Sequence, residues 1–238
     1  SILFKSPTSS QKRFFIAKDT DEMMQFMEEE QNKESPFFAY LAFQAIHIPV
    51  QAPKEFIQKY KGVYDEGWDV LRQRRFEKAK KLALIPKNAT LGNMLPKLSK
   101  WKDLSEENKK LKAKAMAVNA AMLEAMDFHI GRYMTYLSEK GKLENTVFII
   151  TSDNGPEASD PTLVAGMDLW LKLVGYNRDY KTLGEKKSWN FIGPEFASAV
   201  ASPNSFFKFY AGEGGLRVPL IISGANIPKG QKKDAFSF

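Results

Sequence analysis

The chain has 238 residues, a net charge of +7, 43% apolar residues and no cysteine. That is enough apolar sequence for one large domain with a sizeable core, and it excludes disulfides and thiolate metal sites. No apolar run approaches the roughly 20 residues of a membrane span. Lys and Arg gather at 72–81 and 97–114 without aromatic interleaving, which reads as solvated helix faces rather than a nucleic-acid surface, though a basic surface would also attract an anionic substrate.

The N-terminus begins at Ser1 with no signal-peptide layout, and the C-terminus stops at Phe238 with no evident end to an element. The expectation is an internal fragment of a longer protein. Asp19-Thr20-Asp21-Glu22 reads as a helix start, and Met23, Met24, Phe26 and Met27 give that helix an apolar face. Residues 36–43, Pro-Phe-Phe-Ala-Tyr-Leu-Ala-Phe, form a continuous apolar run that suits a buried strand. His47 follows just past its carboxyl end. Residues 50–103 predict short helices, one of them around 68–82. Asn88-Ala89-Thr90 matches a glycosylation sequon, which carries weight only in a secretory host.

Ser105 with Glu106 and Glu107 predicts a capped helix start. Met116, Leu123, Met126, Ile130, Met134 and Leu137 recur at helical spacing, and Gly141 can end the helix. A strand follows over 146–152. Strand, helical region, strand is the pattern of a parallel sheet with crossover helices. Residues 155–205 are rich in Gly, Pro, Trp and polar residues and predict a long irregular excursion near a site. Trp170, Tyr176 and Trp189 could wall a substrate ring or pack the excursion onto the body; the packing role is favoured. The run Leu220-Ile221-Ile222-Ser223 predicts a further strand.

The chemistry centres on Val147-Phe148-Ile149-Ile150-Thr151-Ser152-Asp153-Asn154-Gly155. A β-branched run stops at two hard oxygen ligands, and open α/β sheets place their sites at the carboxyl edge of strands. Asp153 and Asn154 suit Ca2+ or Mg2+ rather than zinc. Taken alone, Asp-Asn-Gly is better explained as a turn, and the buried strand before it brings the two readings level. His47 gains a site role from its place past a strand. His129, inside the long helix, reads as structural. Lys208 taken alone is a surface charge. Arg217 reads as an architectural partner of Glu213.

Together these segments resemble the sulfatase family of the alkaline-phosphatase-like superfamily, in order along most of the chain. The matching stretches are 36–43 with His47-Ile48-Pro49-Val50-Gln51-Ala52-Pro53, then Tyr64-Asp65-Glu66-Gly67-Trp68-Asp69-Val70-Leu71-Arg72 with Arg75, as in bacterial arylsulfatases. Thr151-Ser152-Asp153-Asn154-Gly155 follows, then Gly193-Pro194-Glu195-Phe196-Ala197, Lys208 and Glu213-Gly214-Gly215-Leu216-Arg217-Val218-Pro219.

The resemblance implies an α/β three-layer sandwich with a mostly parallel sheet, incomplete at both ends, with 1–238 forming part of one catalytic domain. It implies a sulfuric ester hydrolase in which a formylglycine hydrate attacks sulfur with help from a divalent metal, Ca2+ or alternatively Mg2+. Asp153 and Asn154 would be metal ligands; His47 and Lys208 would contact a small-molecule sulfate ester and assist the leaving oxygen. The C/S-x-P-x-R motif that yields formylglycine is missing from the chain, as is the Asp-Asp pair that completes the metal site. Both are expected in a missing N-terminal portion, so the 238 residues alone should be inactive. They should also need that partner portion or be poorly soluble. The alternatives are a phosphodiesterase or phosphonate hydrolase of the same superfamily, and a non-catalytic binding protein on this scaffold. The compartment stays open, with periplasmic or secreted placement favoured over the cytoplasm.

Overall fold

The computed structural model describes residues 15–29 and 35–231. The readings made of the two chain ends lie outside those residues. The elements run α1 (Phe15–Glu29), α2 (Lys54–Lys59), α3 (Gly67–Lys81), α4 (Glu106–Glu139), β1 (Val147–Thr151), α5 (Met167–Leu173), α6 (Gly193–Val200), α7 (Glu213–Leu216) and β2 (Leu220–Gly224). No helix among the described residues is long and apolar enough to cross a membrane.

Helix α4 is the spine. The Ser105 hydroxyl accepts from the Asn108 N–H at 3.3 Å, and Glu106 and Glu107 fill the first turn. At the far end Gly141 adopts φ +67°, its N–H donates to the Ser138 carbonyl, and the Lys142 N–H donates to the Leu137 carbonyl. This is a Schellman stop. The 34 residues between span about 51 Å and touch three apolar clusters in turn. Ala113 and Met116 meet Trp68, Trp101, Phe196 and Phe207. Val118, Ala121, Met122 and Ala125 meet Ile16, Val50 and Phe56. Tyr133 and Leu137 meet Met23.

The apolar stripe differs from the one predicted. Met116 and Leu137 are buried, but Leu123 and Met134 are exposed. Alanines do much of the burying, because small side chains let neighbouring backbone approach, and spacing weighted by side-chain size points to the wrong face. Helix α1 likewise starts at Phe15, ahead of the acids. Ile16 is buried against Val50 and Val118, and the Thr20 hydroxyl donates to the Ile16 carbonyl at 3.1 Å. Tertiary contact therefore extends the helix beyond its apparent charge-marked start.

Residues 36–43 are extended but form no ladder; Phe38 alone makes an isolated bridge. Ala39 and Leu41 pack on the Met23–Tyr133–Leu137 cluster and Phe43 on the Val50 cluster, while Phe38 and Tyr40 face out. The predicted strand thus has the alternation of one without a partner among the described residues. β1 and β2 form where predicted but pair antiparallel, Ile149 opposite Ile222 and Ile150 opposite Ile221. The α/β mixture is as expected, while the parallel ladder between 36–43 and β1 is not formed. Nor is β1 buried: Val147, Ile149 and Ile150 are exposed, and Phe148 alone packs onto a core cluster.

The 155–205 excursion is more ordered than expected. α5 lies in it, and α6 is core, with Phe196, Ala197 and Ala199 fully buried. Trp68, Trp101 and Phe196 pack edge to face at 4.8–5.9 Å. Arg72 on α3 is buried and binds backbone rather than a carboxylate: it donates to the carbonyls of Ser198, Gly92 and Asn204. It thereby ties α3 to the last turn of α6, to the segment just after it and to the loop at Gly92.

Candidate functional site

The site is built where β1 stops. Thr151 Oγ1 donates to the Pro219 carbonyl at 3.0 Å, which fixes the end of β1 against the start of β2. The Ser152 hydroxyl donates to the Asn154 carbonyl at 3.0 Å and tightens the turn. The Gly155 N–H then donates to the Gly215 carbonyl at 2.8 Å, and the Lys208 N–H to the Pro156 carbonyl at 3.1 Å. The loop after β1 is therefore laced backbone to backbone onto residues 205–217. Glycine is required at this crossing: a Cβ on Gly155 would lie 1.8 Å from the Gly214 carbonyl oxygen.

This lacing delivers Glu157 to Lys208. Glu157 Oε2 lies 2.9 Å from Lys208 Nζ and 3.6 Å from His47 Nε2. Its other oxygen, Oε1, accepts from both the N–H (2.9 Å) and the hydroxyl of Ser159. The carboxylate side chain is 10% exposed, against 23% for Lys208 and 50% for His47. Burial pushes the Glu157 carboxyl up, but the hydrogen bonds from Ser159 and Lys208 and the charge of Lys208 outweigh it and hold it below the usual carboxylate range. His47 reaches the site from a turn in which its own N–H donates to the Gln44 carbonyl at 2.8 Å. Its Nδ1 lies 2.9 Å from the Ile48 carbonyl. A carbonyl can only accept, so Nδ1 carries a proton and Nε2 is the atom turned to Glu157.

Asp153 is exposed and Asn154 half-buried, three to four residues up the same loop from Glu157. Neither side chain is engaged in a hydrogen bond or ion pair among the described residues. Both are hard oxygen donors free to take a cation, yet no cluster of three His, Cys, Asp or Glu side chains occurs among the described residues. The pair would fit as two of the about six to eight oxygens that Ca2+ takes, with the rest supplied by water or other segments.

The structure thus brings His47 and Lys208 together and sets Asp153 and Asn154 on the adjoining turn. It adds Glu157, which sequence reasoning missed. The available signal was a carboxylate just past Asp-Asn-Gly with Ser159 two residues on. What sets it apart, the approach of Lys208 and His47 to one carboxylate oxygen, depends on chain closure that spacing does not report. His129 is structural as expected: Arg132 donates to its Nδ1 at 2.9 Å, and Arg132 pairs with Asp21 at 2.8 Å. Arg217 lies 3.7 Å from Glu213, as predicted. Trp189 packs edge to face on Tyr176 (5.0 Å) and Trp170 (6.5 Å), contacts made within the excursion itself, and Trp170 is half exposed. Close by, a cavity of about 200 Å³ is lined by Lys112, Asp160, Arg178 and Trp189, among others.

The sulfatase family model matches residues 5–238. An uncharacterised sulfatase of Schizosaccharomyces pombe is 41% identical over 193 residues, covering 80% of this chain and 34% of its own length. An arylsulfatase of Klebsiella aerogenes is 34% identical over 205 residues, covering 85% of this chain and 43% of its own length. The chain therefore spans well under half the length of these relatives. Among solved structures, Ps i-CgsB in complex with k-i-k-neocarrahexaose aligns with 91% of this chain and 29% of that one, at 19% identity and a TM-score of 0.46.

Proposed function

The chain belongs to the sulfatase family, and we propose that it is the central part of the catalytic domain of a sulfuric ester hydrolase. The observation that supports this is the meeting of His47 and Lys208 at Glu157, on the loop that carries Asp153 and Asn154. A sulfate ester is a compact monoanion, and two nitrogen groups on one side of a partly enclosed site suit it. Lys208 binds a non-bridging oxygen. His47, with Nδ1 donating to the Ile48 carbonyl, turns Nε2 towards the site, from which the doubly protonated ring would give its Nε2 proton to the leaving oxygen.

Asp153 and Asn154 would hold a divalent cation, Ca2+ before Mg2+, which when bound would draw charge from the sulfate group. The nucleophile implied by the family is a formylglycine hydrate made from a Cys or Ser in C/S-x-P-x-R, a motif these 238 residues do not contain. Turnover accordingly requires a segment besides this one.

The test is hydrolysis of 4-nitrophenyl sulfate by the whole protein, with Asp153→Ala and Lys208→Ala alongside. Each substitution is expected to lower kcat/KM by about 100-fold or more, the usual scale for losing a group that stabilises transition-state charge. Wild-type activity in Asp153→Ala would sink the assignment of the site. Preference for a phosphate diester or phosphonate over the sulfate would move the protein to the neighbouring hydrolase class. Sulfate-ester turnover by the 238-residue chain alone would refute the need for an outside nucleophile.

A further inference from the structure

We propose that Glu157 is a positioning residue of this site, a single carboxylate that holds the Lys208 ammonium and the His47 imidazole in fixed relation to each other. The inference rests on the sulfatase reading of His47 and Lys208. An exposed ion pair would carry little weight, because such pairs cost side-chain entropy and are screened. Glu157 differs in three respects. Its side chain is 10% exposed. Oε1 is fixed by two donors from Ser159, so the carboxylate plane cannot swing. Oε2 is shared by two groups from segments far apart in the sequence. The carboxylate is also held from behind, since Pro156 beside it accepts from the Lys208 backbone N–H. Lys208 is thus gripped at both ends by the same two residues of the β1 loop.

This arrangement has a cost that makes it testable. A negative charge beside Lys208 and His47 weakens attraction for an anionic ester in the ground state. Its benefit is geometric: a lysine has a flexible stem, and a displacement of about 1 Å at a reacting group can lower rate by as much as about 100-fold. Binding and turnover should therefore move in opposite directions when the charge is removed without changing the shape.

The experiment compares Glu157→Gln with wild type in the whole protein, using 4-nitrophenyl sulfate for kinetics, inorganic sulfate as a competitive probe and thermal melting for stability. The expected result is a kcat lower by roughly 10- to 100-fold, with KM and the inhibition constant for sulfate both decreased. In a Lys208→Met background the same substitution should cost much less, since its main client is gone. Unchanged kcat and KM would overturn the proposal. So would a fall in kcat and melting temperature with KM and sulfate affinity unmoved, which is the mark of a merely structural carboxylate. Asp153→Ala, measured in parallel, separates the two levels. If it retains activity, the reading of the site fails and takes the proposal with it. If it abolishes activity while Glu157→Gln changes nothing, Glu157 alone has been misjudged.

Discussion

A methyl group added at Gly155 would sit 1.8 Å from a backbone oxygen, and backbone cannot move aside as a flexible side chain can. Gly155→Ala should push the β1 loop away from residues 205–217 and break the Pro156–Lys208 backbone bond. The expected cost is about 2–3 kcal/mol of stability, read from the denaturant midpoint, together with most of the activity. A protein as stable and active as wild type would show that the two loops are not pressed together. His129 makes a second prediction. Burial, then the positive charge of Arg132, holds its imidazole below the usual 6.5, only partly offset by Asp21. Arg132 donates to Nδ1, so the folded state keeps the ring neutral. The unfolded chain takes up the proton first, so the stabilisation is complete above pH 6.5 and is lost as pH falls through the depressed folded value. His129→Gln should flatten that part of the stability profile, measured as urea midpoints from neutral to mildly acidic pH. An identical slope in the variant would assign the pH dependence elsewhere. At this scale part was legible: residue type and neighbourhood singled out Asp153, Asn154, His47 and Lys208, which the fold sets on one loop and its immediate surroundings. Glu157 was not, because its meaning lies in distances to residues that only the closed chain brings near.

Among elements, the joint between α3 and α6 depends on Arg72. Its guanidinium serves three carbonyls from separate stretches, and burial draws its pKa down without any carboxylate to compensate. Arg72→Met should therefore leave one buried and two partly buried carbonyls without this donor and destabilise by about 3 kcal/mol or more. Arg72→Lys should rescue little, since one ammonium cannot reproduce a planar fork reaching three directions. A melting temperature for the Lys variant close to wild type would mean that charge, not geometry, makes this joint. Helix boundaries marked by local chemistry were readable in advance: Ser105 caps α4 and Gly141 stops it. The buried face of α4 and the start of α1 were not. Both depend on partners, an alanine-lined seam in one case and the burial of Ile16 in the other. The strand at 36–43 shows the same division, since its alternation is local but a ladder needs a neighbour.

For the molecule as a whole, the outer face of the β1–β2 ladder decides how the chain behaves in solution. Residues directly opposite in an antiparallel pair share a face. Val147 and Ile149 therefore lie beside Ile222 and Leu220, and all four are between 46% and 66% exposed. Phe148, on the opposite face, packs towards Tyr133 and Leu137. An apolar sheet face of this kind, on a ladder whose outer edges pair with no strand among the described residues, is a template for association. Its sequence, a continuous β-branched run, was read as a buried strand, and the composition is that of one; what the residues could not report is that nothing among the described residues covers it. The net charge of +7 opposes association at low salt and is screened as salt rises. The 238-residue chain should therefore self-associate increasingly with ionic strength. Pairing Ile149→Lys with Ile222→Glu, opposite each other in register, should convert it to a monomer at all salt concentrations without lowering its melting temperature. Sedimentation velocity across a salt series tests this directly. A wild-type chain that stays monomeric at high salt would show that this face is quiescent, and a double variant that still associates would place the sticky surface elsewhere, with Leu163, Leu173 and Phe209, the most exposed of the large apolar residues, the next to replace.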